Sequence, residues 1–170
     1  MKKGEVHIRP LQHADQSELA KLANNKKIWD NLRDYIPYPY TDNDAEIFIN
    51  ITKNETPQQT FGIEFQHKLC GVIGLIVQED VYKKSAEIGY WIGEPYWKKG
   101  IASKAVSLIT EYGFNELLLN RIYTGVFEYN VGSMKVLEKN GFEQEGIFKN
   151  AIVKNGKVYN EHRYYKLSTV

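Results

Sequence analysis

The chain has 170 residues, 42% hydrophobic and 13% aromatic, with 22 basic against 21 acidic side chains and a formal net charge of +1. That size and composition predict one domain with its own core and exclude a disordered or fibrous chain, while the balanced charge supplies no global field to draw nucleic acid or an anionic membrane. A single cysteine, Cys70, excludes an internal disulfide, and no apolar stretch reaches membrane-spanning length. Met1-Lys2-Lys3-Gly4 leads into charged residues instead of a signal-peptide core, so the expectation is a cytoplasmic protein with neither a membrane nor a nucleic-acid partner. A homodimer is compatible with all of this.

Val6-His7-Ile8-Arg9 alternates as a first strand and is stopped by Pro10; Asp15 and Glu18 then form a capping-box-like pair ahead of Leu19, Ala20, Leu22 and Ala23. From Trp29 to Tyr40 the chain is rich in aromatics and proline, which predicts an ordered loop over a pocket. A second helix is expected from about Asp42 or Asp44 to Lys53, with Ala45, Ile47, Phe48 and Ile51 as its apolar positions. Residues 60–65 and 69–77 read as a hairpin turning at Gln66-His67-Lys68, and Ser85 to Ile92 is the next strand. Cys70 lies in this apolar run and reads as a small buried hydrophobe.

After the turn Gly93-Glu94-Pro95, Lys98-Lys99-Gly100-Ile101-Ala102-Ser103 opens an amphipathic helix that continues to about Glu116. A strand delivering a basic, glycine-containing turn to a helix N-terminus makes an anion site that a diphosphate fits, because free N–H groups and the positive helix end point the same way. Arg121 to Phe127 is a buried strand, so strand, helix and strand form a right-handed parallel crossover. Asn130-Val131-Gly132-Ser133 begins a short helix closed by Gly141. Strand-like segments follow around Asn155-Gly156, a strong hairpin signal, and the chain finishes on a strand from Val158 to Leu167. The sum is a mixed α/β domain with a largely antiparallel sheet. His7, His13, His67 and His162 show no metal-ligand spacing, and no metal is expected.

The order of these elements resembles the GCN5-related N-acetyltransferase (GNAT) family, in the branch that holds the ribosomal-protein alanine N-acetyltransferases. The likeness spans nearly the whole chain, expected as one domain over residues 1–170. Its anchors are Ile8-Arg9-Pro10-Leu11, Ala86-Glu87-Ile88-Gly89-Tyr90-Trp91-Ile92, Trp97-Lys98-Lys99-Gly100-Ile101-Ala102, and Asn130 with Ser133 and Glu138-Lys139-Asn140-Gly141-Phe142-Glu143. The resemblance implies a mostly antiparallel sheet flanked by helices, whose fourth and fifth strands splay apart around acetyl-coenzyme A. It implies that backbone N–H groups of Lys98, Lys99, Gly100, Ile101, Ala102 and Ser103 hold the pyrophosphate. The pantetheine arm would pair with backbone at Tyr90, Trp91 and Ile92 and take a hydrogen bond from Asn130.

Three positions depart from the family pattern. Trp97 stands where the turn usually begins with Arg or Gln, Leu137 where many relatives carry a tyrosine that protonates the departing thiolate, and Ile152 where some ribosomal-protein enzymes carry a glutamate. Ser133 is then the nearest polar group for the thiolate, and Glu87 is the candidate general base. Their plainer roles are a helix-terminal serine that satisfies backbone N–H groups and a strand carboxylate that orders the pocket.

Roughly a tenth of an α-amino group is neutral at pH 7, against a few parts in ~10,000 for a lysine side chain, so an α-amine asks less of the enzyme. The expected activity is acetyl transfer to a primary amine, with a protein N-terminus preferred and a polyamine, amino acid or antibiotic next. Trp29, Asn31, Arg33, Tyr35 and Tyr38 are the candidate acceptor contacts, with ordinary loop packing as the alternative for the tyrosines. A non-catalytic acyl-coenzyme A sensor is the reading from another class.

Overall fold

The computed structural model describes residues 1–169. In chain order it contains β1 (Lys2–Lys3), β2 (Val6–Arg9), α1 (Gln16–Ala23), α2 (Lys26–Trp29), α3 (Asp42–Lys53), β3 (Thr60–Phe65), β4 (Lys68–Val77), β5 (Ser85–Ile92), α4 (Ile101–Asn115), β6 (Arg121–Phe127), α5 (Val131–Lys139), β7 (Glu143–Lys154) and β8 (Lys157–Leu167). The strands form one 8-stranded sheet in the order β1-β2-β3-β4-β5-β6-β8-β7. Only β5 and β6 pair in parallel; the other neighbours are antiparallel. The mixed, mostly antiparallel sheet flanked by helices is the architecture expected from the order of elements.

Period-2 alternation sends side chains to both faces of the sheet, and two clusters cover them. On one face α4 packs Ile101, Ala105, Val106 and Ile109 onto Ile73, Leu75, Ile88 and Ile122. On the other, α1 and α3 bring Leu19, Ala20, Ala45 and Ile49 onto Leu69 and Val72. Cys70 is buried, its thiol pushed up to about 12 by burial and then by the Glu64 carboxylate, so it serves as a small core residue.

Local chemistry explains where the helices differ from expectation. Asp15 does not pair with Glu18 as a capping box. Its carboxylate accepts from the Gln12 N–H at 2.8 Å and from both terminal nitrogens of Arg9, each at 2.8 Å. The turn α2, for which no element is expected, ends on the first residue of the expected loop, Trp29; the Asn25 side chain caps it by accepting from the Lys27 N–H at 2.9 Å. In α3 the inward positions are Ala45, Ile49 and Thr52; Ile47 and Ile51, expected on that face, are 51% and 61% exposed. The β3–β4 turn is one residue shorter than expected, with Gln66 and His67 both at positive φ and Lys68 already in β4. Asn155 and Gly156 turn the last hairpin with φ of +50° and +72°.

Segment 30–40 is anchored from behind by a lysine. Lys154, at the end of β7, is buried, with its ammonium 2.6 Å from Asp34 Oδ1, 2.9 Å from the Leu32 carbonyl and 3.4 Å from the centre of the Trp29 ring. Trp29 in turn donates its indole N–H to the Ile36 carbonyl at 2.8 Å. Lys154→Met keeps the apolar stem and deletes the charge, and it is expected to cost about 2 kcal/mol of stability in denaturant unfolding. Proteolytic nicking should then increase first within residues 30–40.

Candidate active site

The cleft opens where two neighbouring strands stop pairing. β5 pairs with β4 from Ala86 to Ile92, and β6 pairs with β8 along its whole length from Arg121 to Phe127. Between themselves β5 and β6 match only Ser85–Glu87 with Arg121–Tyr123. Beyond Glu87 each strand follows a different neighbour, and the sheet opens. A cleft of about 570 Å³ runs through this gap, from α1 and α3 on one face to the start of α5 on the other.

At the far end of β5 the chain forms the predicted anion turn. Trp97 donates its indole N–H to the Ile92 carbonyl at 2.6 Å, pinning the turn to the strand that delivers it. Lys98 and Gly100 take φ of +61° and +72°; at Gly100 this is the conformation glycine favours, and a Cβ there would meet nothing within 4 Å. Thr41 and Asn130 cap α3 and α5 with their side chains, whereas among the described residues no side chain caps α4, whose N-cap is Gly100, which leaves its first N–H groups without a cap.

Ile101 is buried and offers this turn only its backbone, while Ala102 and Ser103 are part-exposed and the Asn140 amide donates to Ser103 Oγ at 3.1 Å. Lys98 and Lys99 are exposed, with the Lys99 ammonium 5.4 Å from the centre of the Tyr96 ring. An uncapped helix N-terminus, open space above a glycine and two lysines fit a pyrophosphate.

In the middle of the cleft Gly89 and Trp91 line the β5 side, and Ile92 turns into the core. Tyr90 reaches across the opening: its hydroxyl lies 2.7 Å from Ser133 Oγ and 3.2 Å from the Ser133 carbonyl. Asn130 accepts the Ser133 N–H at 3.1 Å through its side-chain oxygen, which makes it the N-cap of α5 and leaves its amide N–H groups for another acceptor. Leu137 is fully buried among α4 and the sheet, so the position where many relatives carry a tyrosine belongs to the core here. Ile152 lines a smaller neighbouring pocket instead of the main cleft.

At the β5–β6 divergence Arg33 donates to the Glu87 carboxylate. Asn31, Arg33 and Tyr35 line the cleft, and the Asn31 amide donates to the Lys27 carbonyl at 2.9 Å. Trp29 and Tyr38 do not line it: their rings lie 5.5 Å apart, packed against each other. For these two the plain packing role is what the geometry displays. Tyr123, the register partner of Glu87 at the last β5–β6 match, stands beside the cleft, its phenol raised by burial and by the Glu87 carboxylate. Gly125 also lies in the cleft wall, with the Glu161 carboxyl where a Cβ would stand.

The wall formed by α3 and β4 departs from the expected pattern. Ile47 and Ile51, one turn apart on α3, together with Ile76 of β4, line the cleft with exposed side chains. The signal was available: α3 carries one apolar stripe through Ala45, Ile49 and Thr52 and a second through Ile47 and Ile51, and a helix covering one core needs only the first.

A family model for the acetyltransferase (GNAT) domain matches residues 5–143. The probable N-acetyltransferase YjcK of Bacillus subtilis is 33% identical over 167 residues, covering 93% of this chain and 91% of that one. Among solved structures, spermidine N-acetyltransferase of Vibrio cholerae in complex with CoA and spermine has a TM-score of 0.82 at 26% identity, covering 97% of this chain and 96% of that one. RimL, a ribosomal L7/L12 alpha-N-protein acetyltransferase in complex with coenzyme A, shares the fold at a TM-score of 0.84 and 22% identity, covering 97% of this chain and 95% of that one.

The chain belongs to the GNAT acetyltransferase family. It is an N-acetyltransferase that uses acetyl-CoA. Among the described residues no group of three His, Cys, Asp or Glu side chains gathers as a metal site, and no helix is long and apolar enough to cross a membrane.

Proposed function

We propose that residues 1–170 act as one domain that acetylates the α-amine of a protein N-terminus, presented from the α1–α3 side of the cleft to acetyl-CoA lying in the β5–β6 gap. One observation carries the choice of acceptor. The carboxylates lining the cleft are Glu87 and Asp44, and both are engaged, Glu87 by Arg33 and Asp44 by the Thr41 N–H and hydroxyl, while Ile47, Phe48, Ile51, Val72 and Ile76 supply apolar wall.

A polyamine brings further ammonium groups that each need a carboxylate or lose their hydration, and Arg33 repels them. A peptide N-terminus brings one cationic amine for Glu87 and a first carbonyl oxygen for Arg33. Acetyl transfer needs that amine neutral, so the ammonium first gives one proton to solvent, and Glu87 takes the second as the nitrogen attacks. Lys98 to Ser103 hold the pyrophosphate, the backbone at Tyr90 to Ile92 and the Asn130 amide hold the pantetheine arm, and Ser133 lies by the sulfur. The likeness to a spermidine N-acetyltransferase favours a second reading, a polyamine acceptor.

Thiol release from acetyl-CoA separates the two. Peptides with free N-termini are expected to turn over, with internal-lysine peptides blocked at the N-terminus and spermidine at background; turnover confined to spermidine would move the assignment to polyamines. Binding of acetyl-CoA without turnover across the peptide, polyamine, amino-acid and aminoglycoside panel would favour the sensor reading. Glu87→Gln is expected to lower kcat about 100-fold at unchanged acetyl-CoA binding. A kcat within about twofold of the parent would leave Glu87 as an ordering residue.

A further inference from the structure

With a buried leucine at 137, this chain has no tyrosine on α5 to serve the departing thiolate, yet it places a tyrosine hydroxyl at the start of that helix from the opposite strand. Tyr90 belongs to β5 and Ser133 to the first turn of α5; the contact spans the gap in which β5 and β6 no longer pair, and both residues line the cleft. The Ser133 N–H goes to Asn130, so the serine is fixed from the backbone side. Its Oγ then has one short partner, the Tyr90 hydroxyl at 2.7 Å, and one proton of its own.

We propose that Tyr90 is the positioning residue for Ser133: the phenol donates to Ser133 Oγ, which leaves the serine's own proton pointing into the cleft, toward the sulfur that departs. The inference rests on the reading that Ser133 lies by the sulfur. Two facts favour this direction of donation. The phenol's one proton has two acceptors in reach, and Ser133 Oγ at 2.7 Å is nearer than the Ser133 carbonyl at 3.2 Å; burial raises the phenol above its ordinary value, so that proton is always present. The chain Tyr90 O–H to Ser133 O–H to sulfur also places two aligned dipoles behind the developing negative charge, each donor strengthening the next.

No proton need leave the pair. As the C–N bond forms and the C–S bond breaks, the C–S electron pair passes to sulfur and the amine's proton passes to Glu87. Tyr90 and Ser133 stabilise the thiolate by hydrogen bonding alone.

The test compares Tyr90→Phe, Ser133→Ala and the double variant by two readouts: steady-state kinetics with a peptide acceptor, and ultraviolet titration of the thiol of enzyme-bound coenzyme A. Each single variant is expected to lower kcat about 10-fold with KM for acetyl-CoA little changed, and to raise the bound thiol's pKa by about one unit. The double variant should be no worse than Ser133→Ala, because the phenol acts only through the serine.

Movement in Ser133→Ala without movement in Tyr90→Phe would overturn the inference and leave the serine's place by the sulfur intact. No movement in either would overturn both. Multiplying effects in the double variant, or a raised KM at constant kcat, would reduce Tyr90 to packing. Where Tyr90→Phe does not fold, fluorotyrosine at position 90 keeps the packing and makes the phenol a stronger donor. The bound thiol's pKa should then fall, and no movement would likewise overturn the inference.

Discussion

Gly89→Leu should leave the protein folded and cut acetyl transfer about 100-fold, the scale on which a small misplacement of reacting groups is felt. Gly89 lies mid-strand in β5 and lines the cleft, and a Cβ built there meets nothing within 4 Å, so the new side chain enters the space through which acceptor and thioester must meet. A branched or long side chain suits a strand better than glycine does, and the melting temperature should hold or rise.

Gly71, opposite Ile92 on β4, is the matched control: a Cβ there would strike the Trp91 carbonyl. Gly71→Ala should therefore destabilise by about 1–3 kcal/mol, the ordinary cost of overpacking. Thermal unfolding and kcat/KM measured on both variants check the pair of expectations. Full activity in Gly89→Leu would remove this stretch of the gap from the reaction path.

The second large effect is on stability. Arg9→Leu should cost about 3–5 kcal/mol, read as a lower denaturant midpoint at unchanged slope. Arg9 ties the end of β2 to the start of α1 through two 2.8 Å bonds to Asp15 and to β3 through a third, also 2.8 Å, to Glu64. The Asp15 and Glu64 side chains are only 9% and 15% exposed, so the variant leaves two nearly buried carboxylates without their cation.

The same network sets an acid limit. Burial alone would raise the Asp15 carboxyl, but the Arg9 guanidinium and the Gln12 N–H more than offset it; at Glu64 the Arg9 bond is the largest influence and lowers it. Groups whose folded values lie below the ordinary 3.8 and 4.5 contribute stability that is complete above those values and is lost as pH falls through the lowered ones. The parent should therefore weaken steeply below about pH 4, and Arg9→Leu, which has little of this stabilisation to lose, should show a flatter acid limb.

Much of the fold was legible because period and punctuation agree. The strands at 6–9, 60–65, 85–92 and 121–127 alternate or run apolar between turn signals, and α4 repeats its apolar positions at helical spacing. α2 escaped notice since one turn has no period to read, and its cap, Asn25, resembles any loop asparagine. The Asp15–Glu18 pairing failed because the Asp15 carboxylate has other partners, the Gln12 N–H three residues back and Arg9 six residues upstream.

The site divides along the same line. The run from Trp97 to Ser103, and Asn130 with Ser133, are each local in the chain, so the anion turn and the helix cap follow from local spacing, and the resemblance implies their tasks toward the cofactor. Arg33 on Glu87, Tyr90 on Ser133 and Lys154 beneath Trp29 join residues far apart in sequence, where spacing carries no information about distance.

The sequence by itself determined a mixed α/β domain and an anion site: apolar periods specify the strands and helices, the glycine-containing turn ahead of α4 specifies the site through backbone geometry that neighbouring residues dictate, and the resemblance of its anchor motifs to the GNAT family supplied the class of protein. Only the tertiary structure decided which face of α3 looks into the cleft, which aromatics of segment 29–40 line it, and what stands beside Ser133. Those outcomes depend on β5 and β6 parting after Glu87, a feature of strand pairing between distant segments that no local period records.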